Sequence, residues 1–358
     1  MRAWVEVDLD ALVRNARALA RRAGVPLLPM VKADAYGMGV AAVVRALETV
    51  EPWGYGVATV DEGVALRAEG VTRPIVVFTP ILPTEMPAAR EARLRPALSD
   101  PTVIAAWGTS GGGAWHLSID TGMSRAGVPW QETGTLSALL RAHPPEGVFT
   151  HFHSAELGDG SAERQEERFR SALAMLPARP ALVHVENSPG IERLGSRSEW
   201  SLVRPGVFLY GVGSHGALPA EPVASLWARI VEIRTVAAGE SVSYDATYVA
   251  STPLRVATLA VGYADGYRRS LSNVGCVRVG GVDARVVGIV TMDMTMLDVT
   301  DVPCAVGDVV ELIGRGPLAV EAVARRAGLS PYEILVGLAL RAPRLYGTLS
   351  GAGGTGDR

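Results

Sequence analysis

The stretch Pro26-Leu27-Leu28-Pro29-Met30-Val31-Lys32-Ala33-Asp34-Ala35-Tyr36-Gly37 decides how this chain is read. Pro26–Val31 is an apolar run of strand length, and a charged residue follows it directly. Working outward, similar runs recur at Gly54–Ala58, Pro74–Phe78, Leu94–Leu98, Ala114–Ile119, Gly147–Thr150, Ala181–Val185 and Ser201–Val203. Helical patterns accompany them: Leu9–Ala23, Val40–Val50, Asp61–Glu69, Pro101–Trp107, Gln131–Ala142 and Ala162–Leu176. Asp61-Glu62 and Ala162-Glu163 put acids in first turns, where the helix dipole favours them. Eight strands alternating with helices over about 200 residues predict an α/β fold with an N-terminal (β/α)8 TIM-type barrel. A doubly wound open sheet is the alternative.

The pattern changes from about Val223. Closely spaced β runs follow: Leu226–Thr235, Ser241–Tyr248, Arg255–Gly262, Cys276–Val279, Ala284–Val290, Thr295–Val299 and Val309–Ile313. Turn residues such as Gly280-Gly281 separate them, and one helix, Ala319–Ala327, interrupts. The expectation is a barrel over residues 1–222, a C-terminal mostly-β domain over 223–347, and a flexible Gly-rich tail over 348–358. The first few residues are expected to pair with the β domain.

Of the 34 basic residues only one, Lys32, is a lysine; the others are arginine. A bias that replaces lysine wherever either charge will do makes the exception informative. Arginine stays protonated, whereas a lysine amine can act as nucleophile or base. Lys32 sits at the C-terminal end of the first expected strand, the barrel face that carries active sites. An ordinary strand-end charge could have been arginine, so amine chemistry is favoured.

Other strand ends on that face are polar. Asp120, Thr121 and Arg125 follow the fifth; His151 and His153 the sixth; Glu186, Asn187 and Ser188 the seventh; Arg204, Pro205 and Gly206 the eighth. Ser188 and the Gly206 backbone suit a phosphate. A buried Arg204 could oppose an electron-rich ring or a carboxylate. His151-Phe152-His153 is a weak metal signal without a third ligand, so no metal is expected. An amine, a phosphate cradle and a guanidinium at one barrel mouth suggest pyridoxal 5′-phosphate.

Other classes fit poorly. Hydrophobic residues make up 48% and charged residues 20%, which argues against disorder. Net charge is −3 and the basic residues are scattered, so no nucleic acid or anionic membrane partner is expected. Glu6, Asp8 and Asp10 argue against a signal peptide, and no apolar run approaches membrane-spanning length. Cys276 and Cys304 show no metal or redox spacing, which suits a cytoplasmic protein. Gly108-Thr109-Ser110-Gly111-Gly112 fits G-x-S-x-G, but the expected order is helix then strand, the reverse of a nucleophile elbow. Gly211 to Gly216 fits G-x-G-x-x-G, but Pro219 and Pro222 follow where a helix should open.

Further stretches carry a resemblance: Asp120-Thr121-Gly122-Met123-Ser124-Arg125, Phe149-Thr150-His151-Phe152, Asn187-Ser188, Val203-Arg204-Pro205-Gly206, and Tyr210-Gly211. In the β part they are Val242 to Tyr248, Gly262-Tyr263-Ala264-Asp265-Gly266-Tyr267, Met292-Asp293 and Arg341-Ala342-Pro343-Arg344. With Val31 to Gly37, their order and spacing resemble the bacterial alanine racemase family, fold-type III pyridoxal-phosphate enzymes, from about Trp4 to Tyr346. The resemblance implies a two-base interconversion of L- and D-alanine on a pyridoxal-phosphate aldimine, supplying D-alanine for peptidoglycan. It implies that Lys32 holds the cofactor and serves as base on one face, with Tyr244 of the partner subunit on the other. Tyr36, Ser188, Gly206 and Val207 would hold the phosphate, with His151 and Arg204 also on the cofactor side and Arg204 facing the pyridine nitrogen. Arg125, Met292, Tyr263 and Asp293 would serve the substrate. A head-to-tail homodimer follows, because Tyr244, Tyr263 and Met292 act across the interface.

Four positions depart from the family pattern. Ser118 stands where many relatives have a carbamylated lysine, and Met38 replaces a histidine. Ile289 stands where an arginine is common, and Leu340 where several relatives have tyrosine. With Ile289 and Leu340 in those places, the expected consequence is a less polar pocket mouth and looser alanine selectivity. A broader amino-acid racemase is therefore one alternative, and a fold-type III decarboxylase another. A barrel-only cofactor carrier is disfavoured by the β region.

Overall fold

The computed structural model describes residues 1–195, 200–214, 216, 218–338 and 340–347; the expected tail, 348–358, lies outside the described residues. The chain opens with strand β1 (Ala3–Val7). Asp8 then accepts the Ala11 amide and caps α1 (Leu9–Ala23), which Gly24 ends in a left-handed conformation. Parallel strands β2 (Tyr55–Val57), β3 (Ile75–Val77), β4 (Arg95–Leu98), β5 (His116–Asp120), β6 (Gly147–Phe149), β7 (Leu182–Asn187) and β8 (Leu202–Arg204) pair in sequence order.

The ring is completed by Pro26–Val31. Leu27 bridges Val203 of β8, and Met30 bridges Gly56 of β2. The Met30 amide donates to the Pro205 carbonyl and the Val31 amide to that of Gly56, both at 2.8 Å. Pro26 and Pro29 have no N–H to offer, so this edge is bridges rather than a full ladder. Because the first segment meets the last strand, the architecture is a near-closed barrel and the open-sheet alternative is set aside. Lys32 therefore emerges at the barrel mouth.

The second region is one eight-stranded sheet. Its spine is β9 (Ala224–Val236), whose length lets it pair with β1, with β10 (Leu254–Leu259) and with a later strand, Val309–Ile313. Trp4 of β1 faces Trp227 of β9. The last strand, β11 (Arg344–Tyr346), runs parallel to β1, with Val5 opposite Arg344.

Two details differ from the sequence reading. The run Ser241–Tyr248 is not one strand. Ser241-Val242 pairs with Tyr248-Val249, and a turn, Tyr244–Ala246, lies between them. Ser243, Asp245 and Ala246 have φ of 70°, 62° and 47°, a reversal that alternation of apolar residues cannot report. After the helix Val320–Ala327 comes a second, Pro331–Gly337, begun by a Ser330/Glu333 capping box. Gly108 lies in a helix that ends at Thr109, and no helix opens among the described residues of 211–223. Among the described residues, no helix is long and apolar enough to cross a membrane.

Candidate active site

Lys32 is half-buried. Burial and the nearby Arg125 charge lower its amine below the ordinary lysine range, while Glu62 opposes them. The backbone beyond it turns left-handed. Ala33, Asp34, Ala35 and Tyr36 have φ of 52°, 53°, 55° and 54°, and Gly37 follows at 86°. L-residues avoid this region by roughly 1–2 kcal/mol each, and normally visit it singly. The turn closes through the Ala35 amide on the Val31 carbonyl and the Gly37 amide on that of Ala33, both 2.9 Å. Of the four residues only Asp34 has a side chain that tolerates this conformation, so the sequence carried almost no signal for it.

Tyr36, delivered by that turn, is buried and stacks on Tyr210 at 4.6 Å. The Tyr210 hydroxyl donates to the Met30 carbonyl. Burial holds the Tyr36 hydroxyl well above the usual phenol range, so it remains a donor. The Ser188 hydroxyl accepts the Gly206 amide at 2.8 Å and the Phe208 amide at 3.3 Å. A Cβ at Gly206 would lie 2.7 Å from the Tyr36 hydroxyl, so only glycine leaves this cradle open. Two hydroxyls and the Gly206 amide thus converge, with Val207 opening the next turn. This donor set fits the phosphate of pyridoxal 5′-phosphate.

Arg204 is buried beside them. It donates to the carbonyls of His184, Thr150 and Val185 at 2.7, 2.7 and 2.9 Å. It also meets Nδ1 of His184 at 2.8 Å and Nδ1 of His151 at 3.2 Å. A guanidinium has only donors, so both Nδ1 atoms accept and both imidazoles carry their proton on Nε2. His184 Nε2 then donates to His116 Nδ1 at 2.7 Å. Burial keeps both Arg204-bound imidazoles neutral, with His151 pushed down to about 3. Burial also lowers Arg204 to about 9, against the pull of Glu186, which leaves it cationic at neutral pH. Sequence reading missed His116 and His184, because inward and outward strand positions look alike in a fully buried barrel strand.

Lys32, Arg125, His151 and Arg204 lie within electrostatic reach of one another, since the first, second and fourth all depress His151. Asp120 holds the loop leading to Arg125 by accepting the Gly122, Met123 and Ser124 amides. His153 instead lies outside, beside Ser154. The remaining residues form a second group on the β region. The Tyr263 and Ala264 amides donate to the Thr291 and Met292 carbonyls at 3.0 and 3.1 Å, and the Ser243 hydroxyl donates to the Ile289 carbonyl. This ties the Tyr244 turn, Tyr263 and Met292 together. Tyr244 is 68% exposed and Met292 52%. Asp293 is paired with Arg341, which also grips Asp265 with two 2.8 Å bonds.

Comparison with known proteins matches both regions. Residues 7–214 match the alanine racemase N-terminal domain, and residues 223–346 the alanine racemase C-terminal domain. An alanine racemase of Symbiobacterium thermophilum is 40% identical, over 96% of this chain and 97% of that protein. One from Deinococcus radiodurans is 38% identical over 97% and 99%. The crystal structure of alanine racemase from Bartonella henselae with covalently bound pyridoxal phosphate superposes with a TM-score of 0.90 at 31% identity, covering 97% of this chain and 99% of that one. Agreement of this extent, through both regions and almost end to end, shows that the chain belongs to the alanine racemase family.

Proposed function

We infer that this protein interconverts L-alanine and D-alanine with pyridoxal 5′-phosphate as cofactor. The observation that carries the reading is the sole lysine, half-buried with a lowered amine, at a barrel mouth beside the Tyr36, Ser188 and Gly206 cradle. When bound, the cofactor supplies an electron-accepting ring that makes the substrate Cα–H acidic.

The chain's own residues do the rest. Lys32 anchors the cofactor and moves a proton on one face of Cα. Its lowered basicity makes the free amine available nearer neutral pH. Arg204, a buried cation held by neutral imidazoles, would help hold the cofactor and, as a fixed positive charge beside its ring, would disfavour protonation there. Such a charge would disfavour transamination. Arg125 receives the substrate carboxylate. Inverting a stereocentre requires a second base on the opposite face, a role for Tyr244 of the partner subunit. The exposure of the Tyr244 and Met292 group supports a head-to-tail homodimer in which it covers another barrel mouth. Met292, Tyr263 and Asp293 then complete the substrate side. We place the enzyme in the cytoplasm, supplying D-alanine to peptidoglycan. The relatives are racemases, which disfavours the decarboxylase reading.

The test is purified protein with added pyridoxal 5′-phosphate and L-alanine. Racemisation, with visible cofactor absorbance lost in Lys32→Ala, supports the reading. Carbon dioxide release, or colour without turnover, contradicts it.

A further inference from the structure

The left-handed turn after Lys32 is held from both regions of the chain. We propose that Glu62 and Arg344 are positioning residues for Lys32, clamping this turn from the barrel and from the β region so that the amine stays aimed at its substrate. The proposal rests on Lys32 being the reactive amine.

One carboxylate oxygen of Glu62 accepts the Ala33 amide, immediately after Lys32, at 2.7 Å. The other accepts the Ala58 and Thr59 amides at 2.7 and 3.3 Å. A capping box needs only the Thr59 contact. The reach to Ala33 is additional, and it ties the first barrel segment to the end of the second. From the other side, Arg344 of β11 meets one Asp34 oxygen at 2.7 Å, while the Val40 amide meets the other at 2.7 Å. The Tyr346 hydroxyl donates to the Met38 carbonyl at 3.2 Å. Gly39, at φ 89°, has no Cβ, and the Tyr346 hydroxyl occupies the place one would take. A strand of the β region is thus seated on the lysine turn.

Four consecutive L-residues in left-handed backbone relax toward right-handed conformation when released. Relaxation would swing Lys32, whose φ precedes the turn, and would draw Tyr36 with it, while Ser188, Gly206 and Arg125, which lie on other segments, stay in place. An exposed ion pair alone holds little, but the Arg344 side chain is only 21% exposed and acts with the Tyr346 bond on the same turn.

The experiment uses the cofactor-loaded enzyme with Glu62→Gln, Arg344→Ala and Asp34→Asn. Asp34→Asn is the mildest, since it keeps the oxygen that caps Val40 and lies at an exposed position. Lys32 serves one face of Cα only. The expected result is a kcat lower by about 10–100-fold, with KM for alanine little changed. The α-deuterium isotope effect rises for one enantiomer of alanine and not for the other. Adding Ala33→Gly to each variant should recover much of the loss, because glycine adopts positive φ freely. Unchanged kcat and isotope effects, an equal rise for both enantiomers, or no recovery by Ala33→Gly would overturn the proposal. Lys32→Ala separates the two readings. If it is inactive while the clamp variants behave as wild type, only the clamp fails; if it remains active, the underlying reading fails as well.

Discussion

Lys32 is the only lysine in the chain, which makes its chemistry directly measurable. An amine-reactive probe meets it without competition from other lysines. Burial and Arg125 both lower its basicity, so in the apoprotein labelling of the Lys32 peptide, resolved from the Met1 α-amino group, should rise with pH around a midpoint below the ordinary value of about 10.4. Arg125→Gln removes a like charge and should move that midpoint upward. A wild-type midpoint at the ordinary lysine value would contradict the assignment. Gly206 offers a second residue-scale prediction. Gly206→Ala pushes a methyl group into the Tyr36 hydroxyl, and overpacking of this kind costs about 1–3 kcal/mol, so cofactor affinity should fall about tenfold or more. Titration of the apoprotein with pyridoxal 5′-phosphate checks it. Much at this scale was legible beforehand. Lys32 stood out by composition, and Ser188, Arg204 and Gly206 by their strand ends. Glu62 was read only as a helix first-turn acid, because nothing in a sequence says that its second oxygen reaches Ala33.

At the scale of elements, strand β5 and the loop entering β6 join in a polar contact at the far end from the mouth. Burial alone would raise the Glu146 carboxyl, but the adjacent His116 ring and the hydrogen bonds from Arg95 hold it down at about 2. Arg95 lies 2.5 Å from it and His116 3.4 Å. A carboxyl lowered on folding contributes stability that is complete above its unfolded value of about 4.3 and is lost as pH falls toward 2. Glu146→Gln should therefore cost about 1–2 kcal/mol at neutral pH, and the gap should narrow between pH 4.5 and 2. Denaturant melts across that range test this; a gap independent of pH contradicts it. Strands were the easiest elements to read, since buried parallel strands are short continuous apolar runs. The Tyr244 turn and the left-handed turn at Ala33 were not, because both depend on backbone angles that Ser, Ala and Tyr do not advertise. Helix Pro331–Gly337 did leave a signal, a Ser-Pro-x-Glu start, but at 7 residues it is too short to show a clear helical period.

At the scale of the molecule, the two regions are not beads on a string. The N-terminal strand is built into the sheet of the β region, and the last strand reaches back to the lysine turn. The barrel mouth and the Tyr244 group were both foreseeable from motifs. That Tyr244 and Met292 stand exposed on the β region, while Tyr36, Ser188 and Arg204 are buried in the barrel, is a property of the folded chain that spacing along a sequence does not contain. If each active site takes Lys32 from one subunit and Tyr244 from the other, Lys32→Ala and Tyr244→Ala homodimers are each disabled at both sites. A mixed dimer then holds one intact site and one doubly defective site. The most direct measurement is racemisation of L-alanine after the two inactive variants are unfolded together, refolded and loaded with cofactor. Random pairing of subunits predicts recovery of about a quarter of wild-type activity. No recovery from the mixture, or full activity in Tyr244→Ala alone, would contradict a site shared between two opposed bases on two subunits.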